Sequence, residues 1–260
     1  MQPVTVASFT ALARSSPWRW RTLRLVVDWR GGGPVPHEPV RGWVRRPDDL
    51  RVETVSGEVL EVGRHTRGGA VLLTSDGRGR PMQSVTALDP SAPAPEVGTD
   101  GLVTSRPSRG VDYDDPMFQS YHWVAMLDPV ELADGSQPAA RPVDVDELRA
   151  VDHYGRPAWE ALIRPTDDYT PRCSCCPLLH CAQSDWLEGD ASGQSDPGFR
   201  YAEAFRVRLD VGTGVCVLTE QVGGSSPGAG HRAVIEAVDE AMPDALFVQS
   251  RRRRAPWRRR

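Results

Sequence analysis

Phe205-Arg-Val-Arg-Leu-Asp210-Val-Gly-Thr-Gly214-Val-Cys-Val-Leu-Thr219 decides the fold. In its first run apolar and arginine side chains alternate, the period of a strand with one buried face. Val215 to Thr219 is a second apolar run, and Val-Gly-Thr-Gly214 between them is a turn, so the stretch reads as an antiparallel hairpin. Upstream, Glu147 to Tyr154, then Gly155, then Pro157 to Ile163 repeat the pattern. Downstream, His231 to Glu240 is ambiguous: Ala233, Val234, Ala237 and Val238 suit a helix face, while the valines also permit a strand.

The first ninety residues read as a meander. Trp18 to Asp28 alternates over most of its length, and Arg41-Gly-Trp43-Val-Arg45, Leu50 to Val55, Val59 to Val62 and Ala70 to Thr74 follow. Turns are expected at Arg46-Pro-Asp-Asp49, Ser56-Gly57 and Asp76-Gly77, with Gly31-Gly-Gly33 as a hairpin loop. One helix is predicted over Pro116 to Leu127, capped by Asp115 and stopped by Asp128-Pro129. Loops are expected from Asp89 to Glu96 and from Gly189 to Gly198.

Composition agrees with short elements joined by turns: 24 glycines and 23 prolines accompany a hydrophobic fraction of 39%, sufficient for one core. All 31 basic residues are arginines, and seven of them fall in Arg251–Arg260. The net charge of −4 therefore divides into about −11 for the body and +7 for the tail. We read residues 1–250 as a single domain and 251–260 as a disordered tail, able to make a weak contact with an anionic membrane surface. Its phosphate attraction would be unspecific, and nucleic acid is not the expected partner. No stretch approaches the ~18 apolar residues of a membrane span. Met1 to Ala13 lacks the positive start and continuous apolar run of a secretory signal, so the expected setting is cytoplasmic, where thiols stay reduced.

The strand pair around Gly155-Arg-Pro157-Ala-Trp159, the Asp210-Val-Gly-Thr-Gly214 hairpin and the terminal Met242-Pro-Asp-Ala-Leu-Phe247 together resemble the bacterial lipoprotein-carrier-like superfamily. That superfamily includes periplasmic lipoprotein carriers and a sigma-factor regulator that senses lipoproteins. The resemblance implies a mainly β (α+β) fold: a strongly curved antiparallel sheet forming an unclosed half-barrel, with a few helices on its concave side and an apolar cavity between. It implies a non-catalytic binding protein, for a hydrophobic, lipid-like ligand or a protein partner. Trp20, Trp29, Trp43 and Trp123 are the aromatic residues that would line such a cavity, with arginines on the opposite strand face; ordinary core packing is the alternative.

The family does not need the cluster Cys173-Ser-Cys175-Cys176-Pro-Leu-Leu-His180-Cys181, which holds four of the five cysteines. Zinc takes four thiolate or imidazole ligands, and Cys173, Cys175, Cys176, His180 and Cys181 offer five, with Cys216 a sixth. The spacing is not that of two separated Cys-x-x-Cys pairs. A structural-metal site, a disulfide or redox-sensing thiol set, and inert thiols packed as small hydrophobes remain three readings of one cluster. No Gly-x-Ser-x-Gly, His-Glu-x-x-His or phosphate-binding glycine loop occurs, so an enzyme is not the expectation. The acid pairs Asp48/Asp49, Asp114/Asp115 and Asp167/Asp168 read as solvated turn residues.

Overall fold

A computed structural model describes residues 4–31, 38–64, 71–73, 79–81, 84–135, 140–189 and 198–248. The turn expected at Asp76-Gly77, residues 32–33 of the glycine loop, most of the 189–198 loop and the arginine tail lie outside the described residues.

The chain opens with helix α1 (Val6–Arg19), followed by β1 (Thr22–Arg30), β2 (Val40–Arg45), β3 (Asp49–Thr54) and β4 (Val59–Arg64). Three small pairs come next: β5 (Val71–Leu73) with β6 (Gly79–Pro81), β7 (Val85–Thr86) with β10 (Val111–Asp112), and β8 (Glu96–Val97) with β9 (Val103–Ser105). Helix α2 (Tyr121–Leu127) and a 3-10 turn (Val130–Leu132) lead to β11 (Val143–His153) and β12 (Arg156–Pro165). Helix α3 (Ala182–Glu188) precedes β13 (Ala204–Asp210), β14 (Cys216–Val222), β15 (Gly230–Val238) and a last 3-10 turn (Asp244–Phe247).

Nine of these strands form one sheet in the order β11-β12-β13-β14-β15-β1-β2-β3-β4, and every neighbouring pair is antiparallel. Two meanders are thus joined where β15 meets β1, Val27 facing Ala233. The end strands β11 and β4 do not pair with each other, so the sheet stays open, as expected of an unclosed half-barrel with few helices. Register shifts at Arg24/Leu25, Val52/Glu53, Asp146/Arg149 and Arg208/Leu209 add local twist, as bulges do. One face of the sheet carries Leu23, Leu25, Val27, Val44, Ile163, Val207, Leu209 and Ala233. Phe9, Leu12 and Ala13 of α1 and Trp123, Met126 and Leu127 of α2 complete that core. His231 to Glu240 resolves as strand through residue 238, because an edge of each meander needs it as partner.

Three expectations need correction. The strand predicted from Trp18 begins only at Thr22; Trp18 and Arg19 end α1. That helix starts in a capping box between Thr5 and Ser8 and tolerates Pro17, whose missing N–H frees the Ala13 carbonyl, because Arg106 donates to that carbonyl and to the adjacent one of Arg14. The helix predicted over Pro116 to Leu127 is confined to Tyr121–Leu127. Asp115 is not its cap: the carboxylate accepts Arg46 Nε at 2.6 Å and Nη2 at 2.7 Å, both partners nearly buried. Asp49 is likewise buried against Arg45, so these two acids are not solvated turn residues.

The hairpin turn that opened the argument is docked on α1. Asp210 Oδ1 accepts the backbone N–H and hydroxyl of Thr213, both at 2.8 Å, while Arg156 holds Oδ2 at 2.7 Å. Gly214 sits at φ +75, and a Cβ there would lie 2.8 Å from Leu12 O. On the other flank, a Cβ at Gly42 of β2 would lie 2.8 Å from the Trp123 ring. Gly42→Ala is therefore expected to lower stability by about 1–3 kcal/mol through overpacking, read as an earlier urea midpoint at unchanged slope.

Candidate metal centre

The cysteine loop runs from the end of β12 to α3, and a buried polar scaffold holds it from beneath. Glu131, in the 3-10 turn after α2, accepts Tyr169 Oη at 3.0 Å and the Leu178 N–H at 3.1 Å. The Leu179 N–H donates to the same Tyr169 hydroxyl at 3.1 Å. Arg172, next to the first cysteine, reaches Asp128 and also Asp114 at 2.9 Å; Asp128 is shared with Arg106. His122 Nδ1 lies 2.8 Å from Pro177 O, and its Nε2 lies 2.9 Å from His231 Nδ1. His231 Nε2 in turn lies 2.8 Å from Cys216 O, tying the loop to β14.

Burial sets the charges of this scaffold. It pushes the Glu131 carboxyl up to about 7, against the pull of Tyr169 and Arg172. Burial also pushes Asp128 upward, but Arg106 and Arg172 outweigh it and hold that carboxyl below its ordinary value. Desolvation lowers both His122 and His231.

On this base Cys173, Cys175 and Cys176 present their sulfurs together, all within 4.8 Å of one another. Cys173 Sγ is 3.0 Å from Cys175 Sγ, which is 3.8 Å from Cys176 Sγ. Burial raises the Cys173 thiol, yet donation from the Cys175 and Cys176 thiols and backbone N–H groups together outweighs it and brings the thiol below its ordinary value. Burial and the neighbouring thiols push Cys176 up to about 12.

The other two predicted ligands stand elsewhere. Cys181 is buried at the start of α3, its sulfur accepting backbone N–H groups of that helix, and burial raises its thiol. His180 Nε2 lies 2.8 Å from Asp185 Oδ1. Cys216 is buried in β14, its thiol facing Leu218 O at 3.4 Å. All five cysteines are free thiols. Three close cysteines of the nine-residue cluster could therefore hold a metal ion, and the density of cysteines in the sequence was the readable signal, although their spacing matches no zinc-finger pattern. The supporting Asp128, Glu131 and His122 carried no such signal, because their partners lie 44, 47 and 55 residues away in sequence.

The four singled-out tryptophans do not converge on one place. Trp29 and Trp123 lie 6.2 Å apart between ring centres, with Phe118 packed against both. Trp20 is buried apart from them, donating to Ser16 Oγ at 3.1 Å beneath the Arg46 guanidinium. Trp43 sits on the opposite strand face from buried Val44, alternating with Arg41 and Arg45, which corrects the expected segregation of tryptophan from arginine. The indole Nε1 of Trp123 is buried with no acceptor among the described residues. No helix among the described residues is long and apolar enough to cross a membrane. No protein-family model matches this chain, and no curated protein or solved structure matches it significantly.

Proposed function

We propose that this protein is a thiolate module that holds one thiophilic metal ion, of the zinc and copper class, on Cys173, Cys175 and Cys176. The observation that supports it is the convergence of three sulfurs on a loop fastened by buried Asp128 and Glu131 and half-buried His122. Ligands fixed beforehand by outer partners bind a metal without the cost of ordering the chain. In a cytoplasmic setting the thiols would remain available as ligands. Protein purified under reducing conditions is expected to carry about one equivalent of metal, lost on chelation and regained on adding zinc or copper salts. Cys175→Ser, at an exposed position, should fold normally and lose the metal. Metal-free protein that takes up neither ion would overturn the reading.

A second reading keeps the binding-protein function, with a hydrophobic ligand or partner at Trp29, Phe118 and Trp123. It rests on the orphaned Trp123 N–H, a donor that an apolar ligand bearing one acceptor atom would satisfy. Native mass spectrometry is expected to show a retained mass of a few hundred daltons; an apo mass, with no fluorescence change on adding fatty acid, would remove this reading.

A further inference from the structure

Resting on the thiolate reading, the geometry points to a narrower assignment: we infer that Cys173, Cys175 and Cys176 form a three-coordinate site for monovalent copper, open on its outer side, and not a closed tetrahedral zinc site. Every cysteine of the chain lies among the described residues, so the sulfur inventory is complete. Two of the five are unavailable. Cys181 is buried at the start of α3 and Cys216 in the core of the sheet, and neither sulfur belongs to the group within 4.8 Å.

The remaining donors fail as well. His180, the predicted imidazole ligand, is turned to Asp185 and the rings of Phe199 and Tyr201. Glu188 bonds to Ser174, inside the cysteine run, yet it falls outside the group whose donor atoms lie within 4.8 Å of one another. No imidazole or carboxylate of the described residues joins the three sulfurs.

Zinc in a structural site takes four ligands in a tetrahedron. Monovalent copper is softer, selects thiolates, and is satisfied by two or three of them. Sulfurs at about 2.3 Å from one ion stand about 3.8 Å apart in a tetrahedron and about 4.0 Å apart in a plane. The Cys175–Cys176 separation of 3.8 Å already lies in that range, and the 3.0 Å between Cys173 and Cys175 needs to open by less than a bond length. Cys175 is exposed, so the uncovered side of the ion would face solvent, where an incoming thiolate has access.

The test uses the full chain, reduced and metal-free, under anaerobic conditions. Monovalent copper is titrated against the chromogenic chelator bicinchoninate, and X-ray absorption is recorded on the copper-loaded and zinc-loaded forms. The expected result is one copper per chain with three sulfur neighbours, and a zinc form that keeps three sulfurs but completes its shell with an exchangeable light atom. Cys175→Ser should weaken copper by more than about 100-fold, beyond the 10–100-fold loss from removing a group that only supports a ligand. Copper bound by two sulfurs, or zinc held by three sulfurs and a nitrogen or carboxylate oxygen of the chain, would overturn the three-coordinate assignment while leaving the thiolate reading standing. Binding of neither ion would overturn both.

Discussion

Asp128→Ala is expected to cost about 3–5 kcal/mol of stability, the range for removing one partner of a buried ion pair. Asp128 is fully buried and accepts from both Arg106 and Arg172, whose side chains are only 7% and 16% exposed. Its removal would leave two desolvated guanidiniums without their shared anion. Arg172 lies beside Cys173, so the same change should loosen the cysteine loop and weaken its metal affinity. A contrast comes from Asp134, 40% exposed and paired with Arg14, where Asp134→Ala should cost no more than about 1 kcal/mol. Guanidinium unfolding of the two variants measures the difference; equal losses would show that burial of the Asp128 charge has been misjudged.

Glu131 carries the second large effect, and it depends on pH. Its carboxyl is raised from 4.5 to about 7 by burial, so between these values the folded protein binds a proton that the unfolded chain releases. Stability from this group is then fully present below about 4.5 and is lost as pH rises through about 7. The shift corresponds to about 3 kcal/mol across that window. His122 and His231, lowered by burial, work in the opposite direction, since acid charges them only when the chain unfolds. The raw pH profile therefore mixes both slopes. The difference between wild type and Glu131→Gln isolates the carboxyl: it should change by about 3 kcal/mol between pH 4.5 and 7.5 in urea unfolding, and a flat difference would sink the assignment.

The antiparallel character of the sheet was legible because hairpin punctuation is local. Tyr154-Gly155 turns β11 into β12 with φ of +54 and +80, the backbone that a two-residue hairpin demands. The Asp210 to Gly214 turn is likewise encoded by Asp210 and Thr213 bonding to each other. Helix α1 was not legible, since Pro17 and the Trp-Arg alternation argue against a helix. What overrides them is Arg106, 92 residues from Arg14 and supplied by a distant loop. Asp115 misled for a similar reason: it has the chemistry of a helix cap, but Arg46, 69 residues away, binds it more strongly than a helix end would.

By itself, then, the sequence determined most strands of the large sheet, their hairpin turns and the presence of a cysteine cluster, and left β15 ambiguous. These depend on side-chain period and on residues within a few positions of one another. Only the tertiary structure decided that β15 joins the two meanders, and that Cys173, Cys175 and Cys176 stand together while His180 and Cys181 turn to α3 and its neighbours. Those outcomes are set by buried contacts between distant segments, where an unpaired charge or carbonyl is too costly to leave unsatisfied. The direction of a sulfur follows from which partners the rest of its loop must reach.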